Sequence, residues 1–410
     1  MKNRNNSFTM LLFIGTLFFQ LTSFKFIWGV EFVSRIMNAI LFCLSTGAAI
    51  IFYFKKSCNK RVVNYYLIPC FLVYIGQFLN TAFYSFRNPA VINQFGTLIP
   101  WSMALCIPYL LERGAIRPNR LWFYFNIFMT VTSLLALVEY FLVFAEFTIL
   151  RSIETSGGRF LAGYVSMLYS VNYQNQGEEV YYRLYSVFME PGTLAMFLIP
   201  VITYSVLSER YFSVAIYLIS MYLTDSLGGI ISLIMSFVFI IFIKITKIMS
   251  WLPAAGLTIF FAILLVFSSS LSQRYNDKGN SATEREDSFI KFVNIFPRLL
   301  INYPLGLPRY ESSDEASENS LHSGFNFSIG TSFVFGGILS FTGYILVVYG
   351  FMSYSIKNLM HSSDSWLVQV VSVSMISLFP FIFQRATILE SGLFSLLFAP
   401  FLIQGLNRDC

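Results

Sequence analysis

The 410-residue sequence has little charge: Asp, Glu, Lys and Arg make up only 12% of it, against about 25% in an ordinary soluble domain. Only two histidines are present, and the five cysteines lie far apart without a CxxC pair, which excludes a zinc site and a disulfide framework. Walker A, GxSxG, HExxH and DxD motifs are also absent. Instead, 56% of the residues are hydrophobic and 18% are aromatic. This composition excludes soluble enzymes, disordered chains and nucleic-acid-binding proteins, and it predicts a polytopic membrane protein.

Long apolar runs predict how the chain crosses the bilayer. A hydrocarbon core of about 30 Å requires roughly 20 apolar residues per helix, and the runs are too unbroken for the alternating pattern of a barrel. We therefore predict an all-α fold with about twelve membrane helices, near residues 8–24, 36–54, 63–84, 96–111, 121–145, 191–208, 211–224, 227–243, 251–270, 327–353, 365–383 and 387–404. The predicted regions are five N-terminal helices (1–146), a first large loop (147–190), central helices (191–270), a second large loop (271–326) and C-terminal helices (327–410).

The distribution of lysine and arginine predicts the orientation, because short cytoplasmic loops carry an excess of these residues. With the N-terminus in the cytoplasm, the inner segments hold fourteen positive charges and the short outer connections hold four. An even number of helices then returns the C-terminus to the cytoplasm. Both large loops, 147–190 and 271–326, face outward, whereas every cysteine lies in a helix or on the reducing side.

The two large loops carry the residues that support chemistry. The first contains three positive and four negative charges, and the second contains six and eight. Several arginines at a membrane surface indicate an anionic lipid-linked ligand such as a pyrophosphate, because guanidinium groups bind phosphate oxygens bidentately. The alternative is that these arginines, Arg285 above all, pair with neighbouring carboxylates in solvated loops. The stretch Phe289 to Tyr303 is predicted to form an amphipathic helix on the membrane surface.

Two further residues at the predicted outer face are candidates. Glu190 precedes Pro191, which suits the first position of a helix, so the Glu190 carboxylate is expected at the positive end of that helix dipole. His322 lies just before a membrane helix, whereas His361 lies in an inner loop and is expected to be inert. The acidic run Glu284 to Asp287 has no nearby histidine or second acidic cluster, so no metal site is predicted.

Three segments occur in an order that resembles one protein family. Arg183 to Gly192 resembles an Arg-x-x-Gly/Ser-x-Phe-x-x-Pro stretch at the end of a first large loop. Leu223 to Gly229 resembles Leu-Thr-x-Ser-x-Gly. Arg285 to Leu307 resembles an Arg followed some twenty residues later by Pro-x-Gly, with His322 beyond it. Together they are similar to the O-antigen polymerases and O-antigen ligases, bacterial envelope glycosyltransferases of GT-C-like fold. The lipid-linked (Wzy-type) polymerases fit best.

The resemblance implies a reaction and the residues that perform it. The protein would join repeat units carried on undecaprenyl pyrophosphate at the periplasmic face of the bacterial inner membrane, without nucleotide sugar, metal or other cofactor. Arg183 and Arg285 would hold the pyrophosphate, and His322 or Glu190 would act as the base. The predicted substrate-binding residues are Arg159, Arg298, Arg309, Tyr182 and Tyr303. Besides the lipid-linked oligosaccharide and the bilayer, a polysaccharide chain-length regulator is an expected partner.

Two alternatives to the polymerase follow from the same features. An O-antigen ligase shares the architecture but transfers the finished glycan to lipid A-core. Its usual His-Asn pair is His322-Ser323 in this sequence, which favours the polymerase. A flippase or exporter of lipid-linked oligosaccharide also has about twelve membrane helices, but its loops are usually short.

Overall fold

The computed structural model of the chain describes its helices, its strands and several of the connections between them. The described residues are 2–20, 40, 42–51, 59–85, 97–144, 151–155, 159–163, 171–176, 179–188, 190–246, 280–307, 327–360, 365–384 and 392–408. Within these residues, helices occupy eleven of the twelve predicted positions, and the remaining one, 251–270, lies outside the described residues.

The helices agree with the apolar runs to within a few residues at most of their ends. Helix α3 has three continuous parts: Lys60–Val62, a π-helical turn at Val63–Leu67, and Ile68–Ser85. The other helices are α1 (Lys2–Gln20), α2 (Phe42–Ile51), α4 (Ile99–Glu112), α5 (Pro118–Phe144), α6 (Pro191–Leu207), α7 (Tyr211–Leu223), α8 (Leu227–Thr246), α9 (Asn280–Asn302), α10 (Ser328–Met360), α11 (Trp366–Ser377), α12 (Phe379–Gln384) and α13 (Gly392–Arg408).

Three of these helices are long and apolar enough to cross a membrane. They are Lys60–Tyr84 in α3, Pro118–Leu142 in α5, and Ser328–Met360, which is α10. The described residues also contain shorter apolar helices, such as α4, α6 and α7. These features are those of a helical membrane protein, whereas the number of spans and the side of each terminus stay predictions.

The first large loop contains a four-stranded antiparallel sheet. Its strands, in the order β1-β2-β3-β4, are Arg151–Thr155, Arg159–Gly163, Val171–Gln176 and Glu179–Leu184. The membrane region is helical, as predicted, whereas strands in this loop were not predicted. A hydropathy window of about 20 residues detects membrane helices, but it averages out strands of five or six residues in a polar loop.

The chain divides into two compact units. Unit 1 contains Met1–Ile40, Gly114–Ile240 and Ser363–Leu378, and unit 2 contains Leu41–Arg113, Ile241–Ser362 and Phe379–Cys410. Unit 1 therefore includes α5, the sheet, α6 and α7. Unit 2 includes α3, α4, α9 and α10.

Buried polar groups connect the helices of unit 1. The Oδ1 atom of Asn126 on α5 accepts hydrogen bonds from Tyr217 Oη on α7 (3.1 Å) and from Ser205 Oγ on α6 (3.3 Å). Trp122 on α5 stacks on Tyr204 of α6, with ring centroids 6.1 Å apart. Because buried polar groups are costly unless they are hydrogen-bonded, this arrangement favours one register of the three helices.

Glycines allow α3 and α10 of unit 2 to approach closely. A Cβ atom on Gly76 would lie 2.5 Å from the carbonyl oxygen of Gly336 and 2.7 Å from the amide nitrogen of Ser340. A Cβ on Gly343 would lie 2.6 Å from the carbonyl oxygen of Pro69. Small residues at membrane-helix contacts permit such backbone proximity, so α3 and α10 form the central pair of this unit.

Candidate functional site

Arg183 connects the end of the sheet to the turn between α7 and α8. Its Nε donates to the carbonyl oxygen of Thr224 at 3.1 Å, and one Nη donates to that of Asp225 at 3.1 Å. A guanidinium is planar and carries five N–H donors in a fixed fork. The two bonds therefore fix its plane, and they bring together two of the segments that carry the family resemblance, Arg183–Gly192 and Leu223–Gly229.

The residues after Arg183 are attached to the helices of unit 1. Ser186 has a positive φ of 53°, and its hydroxyl donates to the carbonyl oxygen of Thr132 on α5 at 3.1 Å. Phe188 is buried and stacks on Phe197 of α6, with ring centroids 4.9 Å apart. These contacts hold the chain between β4 and α6 in a defined path, so the position of Arg183 is set from both sides.

Glu190 is the N-cap residue of α6, and Pro191 is the first helical residue, as predicted. The main-chain carbonyl of Glu190 accepts hydrogen bonds from the amides of Thr193 (3.0 Å) and Leu194 (3.1 Å). Its side chain makes no capping hydrogen bond, and the residue is half-buried. The carboxylate is thus placed at the positive end of the helix dipole.

The turn that receives Arg183 is tightly built. Asp225 has a positive φ of 45°, and Ser226 Oγ accepts a hydrogen bond from the amide of Gly229 at 3.3 Å. A Cβ on Gly229 would lie 2.7 Å from the Cβ of Ala195 and 2.9 Å from the Sδ of Met221. These contacts hold the backbone of the turn in place. The two carbonyl oxygens that bind Arg183 are therefore in fixed positions.

The end of the second large loop inserts into a break in α10. Gly336 and Gly337 have non-helical backbone angles inside this helix, with Gly337 at φ 61° and ψ −153°. The amide of Leu307 donates to the carbonyl of Val334 at 3.0 Å, and the amide of Ile338 donates to the carbonyl of Pro304 at 3.0 Å. The Pro-x-Gly turn of the third resembling segment therefore satisfies backbone groups that the break releases.

Two side chains of α3 hold this turn in place. Asn80 is buried, and its Nδ2 donates to the carbonyl oxygens of Leu305 (2.8 Å) and Leu307 (3.2 Å). Tyr84 Oη donates to the carbonyl oxygen of Gly306 at 3.1 Å. The sequence reading missed Asn80 and Tyr84, because both lie in an apolar helix remote in sequence from the loop. The Gly336-Gly337 pair within a long apolar run was the available signal for the break.

The other predicted site residues are distributed over both units. Tyr182 is half-buried on β4, opposite Tyr173, and Arg159 lies on β2. Arg285 and Arg298 lie on α9, where Arg298 is exposed, and Tyr303 follows that helix with 37% of its surface exposed. The side chains of Arg159 and Arg285, and all of His322 and Arg309, lie outside the described residues. A single site containing both Arg183 and Arg285 stays a prediction.

Glu139 is a further candidate that the sequence reading did not select. It lies on α5, one of the helices long and apolar enough to cross a membrane, and only 1% of its surface is exposed. Ionisable residues within membrane helices are rare and usually functional. Its signal in the sequence is a single carboxylate within an otherwise uncharged run of this helix.

Among the described residues, no group of three or more His, Cys, Asp or Glu side chains is arranged to hold a metal ion. No family model, curated protein or solved structure matches this chain.

Proposed function

We propose that this protein is a polymerase of lipid-linked polysaccharide repeat units. It transfers a growing glycan from one undecaprenyl pyrophosphate to the next lipid-linked repeat unit at the outer face of the inner membrane. The observation that carries the proposal is the contact of Arg183 with Thr224 and Asp225. Two segments about forty residues apart resemble the same family in sequence, and they meet at this arginine.

The reaction needs a cation where the leaving group develops its charge. The bond between the anomeric carbon of the donor glycan and the pyrophosphate oxygen breaks, and that oxygen keeps the electron pair. An acceptor hydroxyl oxygen forms the new glycosidic bond. Preorganised donors aimed at developing charge are often the largest single contribution to catalysis. The plane of the Arg183 guanidinium is fixed before substrate arrives, and Arg285 is the second arginine proposed for this role.

The acceptor hydroxyl must also lose its proton. Glu190 and His322 remain the proposed bases. The position of Glu190 between Arg183 and the first turn of α6 supports it as the base of unit 1. A general base must lie within hydrogen-bond reach of the proton that it removes.

The proposal is tested in the native host by deleting the gene and restoring it with variants. The surface glycolipid is then separated on a gel. Deletion is expected to collapse the ladder to core plus one repeat unit. Arg183→Ala is expected to restore no polymer, and Arg183→Lys to restore little, because an ammonium cannot replace the planar fork. The matched control is Arg120→Ala, which removes an exposed arginine of α5 and is expected to restore the full ladder.

The amounts of each variant in the membrane must equal that of the wild type for these results to count. Full-length ladders with Arg183→Ala would show that this residue is not part of the active site. Long lipid-linked polymer that does not reach the core after deletion would identify a ligase instead. Single repeat units trapped on the inner leaflet would identify a flippase.

A further inference from the structure

Helix α9 presents three different faces. At about 100° per residue, Phe292 and Leu299 share one face of the helix. This face is buried: the two side chains are 5% and 3% exposed. They pack in a cluster with Phe327, Phe333 and Val334. The second face is apolar but open. Its members are Ile290, Val293 and Ile301, which are 49%, 53% and 78% exposed, together with the exposed Pro297. The buried face accounts for the attachment of α9 to unit 2, so the open face requires a separate explanation.

The third face of α9 is polar: it carries Glu284 and Asp287 in the first half of the helix and is basic from Lys291 onward. It contains Lys291, Asn294, Arg298 and Asn302, at successive spacings of three or four residues. Between Phe289 and Tyr303 there is no acidic residue. An apolar sector beside a basic sector is the arrangement of helices that lie in the interface of a bilayer.

The end of α9 is attached to membrane-spanning helices. Leu307, five residues beyond the helix, bonds to Val334, which lies about 9 Å along α10 from its start at Ser328. On α3, Tyr84 bonds to the same turn, and its neighbour Phe83 is an apolar side chain that is 47% exposed. The open face of α9 therefore belongs to a unit whose adjoining helices already present apolar residues outward.

We propose that α9 is an interfacial helix whose open apolar face lies in the bilayer, with Arg298 at the level of the phospholipid phosphates. The occupant of this face is bilayer lipid, preferentially anionic phospholipid. The choice of lipid over a protein partner rests on the basic sector and on the direct attachment to spanning helices. This inference goes beyond the polymerase proposal and does not depend on it.

Photocrosslinking tests the proposal in the full-length protein. p-Benzoylphenylalanine is introduced at Ile301 or Val293 of the open face, and at Asn302 or Asn294 of the polar face as matched controls. Each protein is placed in nanodiscs of equal parts phosphatidylglycerol and phosphatidylcholine, irradiated and analysed by mass spectrometry. Phospholipid adducts are expected at Ile301 and Val293, at least fivefold more abundant than at the two controls. Equal yields at all four positions, or crosslinks at Ile301 to a second protein chain, would overturn the proposal.

The charge requirement is tested separately. With the crosslinker at Ile301, the ratio of phosphatidylglycerol to phosphatidylcholine adducts is compared between the parent protein and its Arg298→Gln variant. The ratio is expected to fall about fivefold, the factor that corresponds to one basic residue at an anionic surface. Lys60→Gln, which removes an exposed charge at the start of α3, is expected to leave it unchanged. An unaltered ratio with Arg298→Gln would refute the proposed preference for anionic phospholipid at Arg298.

Discussion

Gly337 shows how one residue can determine the attachment of a whole loop. Its angles, φ 61° and ψ −153°, lie in a region that is essentially restricted to glycine. A Cβ at this position would contact the carbonyl oxygen of Pro304 and would lie 2.5 Å from the carbonyl carbon of Leu305. The backbone of the second loop can approach α10 only because that side chain is absent.

We expect Gly337→Ala to lower the free energy of unfolding by about 2 kcal/mol or more, from strain and displacement of the turn. Thermal unfolding of the purified protein in detergent measures the change. Gly47→Ala is the matched control, because no atom lies within 4 Å of a Cβ at Gly47 in α2. That variant is expected to be unchanged or more stable by up to about 1 kcal/mol. Equal stabilities of the two variants would contradict this account of Gly337.

The sequence predicted Arg183 as a site residue, but it did not predict the groups that Arg183 binds. A sequence motif identifies side chains, whereas Thr224 and Asp225 contribute main-chain carbonyl oxygens. Any residue has such an oxygen, so the side-chain pattern carries no signal for it. Glu190 was easier to place, because Pro191 marks the first turn of α6 and thereby fixes the residue before it.

Among the elements, α3 and α10 act together with the turn that follows α9. The break in α10 exchanges internal helix bonds for bonds to Pro304 and Leu307, and Asn80 of α3 binds the same turn from the other side. In a membrane, non-helical backbone is tolerated where protein groups satisfy it. Asn80 is therefore the side chain on which the turn depends most directly.

Replacing Asn80 by alanine is expected to loosen this turn. The carbonyls of Leu305 and Leu307 would each lose a donor, at a cost of about 1–3 kcal/mol for a buried group left unsatisfied. Hydrogen exchange of peptides covering residues 303–307 should become faster, while exchange in α5 should not change. Asn64→Ala, at an exposed position of the π-helical turn, is the control. Unchanged exchange at residues 303–307 with Asn80→Ala would show that the turn is held by other groups.

The elements differ in how well the sequence predicts them. Long apolar runs predict the apolar helices well, because a run of about 20 apolar residues has the length and composition of a membrane helix. The stretch Phe289 to Tyr303 was also correctly predicted to be helical as far as Asn302, and α9 begins earlier, at Asn280. The four strands of the first loop had no comparable signal. Their pairing is set by contacts between segments that are separate in sequence, such as Arg151 with Gly163.

The orientation of the whole molecule in the membrane can be argued from unit 1, because its helix order predicts which turns lie on the same side. The sheet that follows α5 and the turn at Thr224–Asp225 meet at Arg183, so they lie at one end of the unit. Arg210 precedes α7, whose 13 residues separate it from Thr224. The excess of basic residues in the predicted inner segments assigns Arg210 to the cytoplasm, and Asp225 would then face outward.

Labelling of introduced cysteines in the full-length protein tests this orientation. Asp225→Cys and Glu209→Cys form a matched pair, since both are turn residues with positive φ, 45° and 59°. In intact spheroplasts, a membrane-impermeant maleimide is expected to label Asp225→Cys but to label Glu209→Cys only after permeabilisation. The unmodified protein controls for its own five cysteines, which are expected to be protected because the sequence predicts them in helices or on the inner side. The reverse labelling pattern would invert the orientation, and with it the proposed outer location of Arg183 and Glu190.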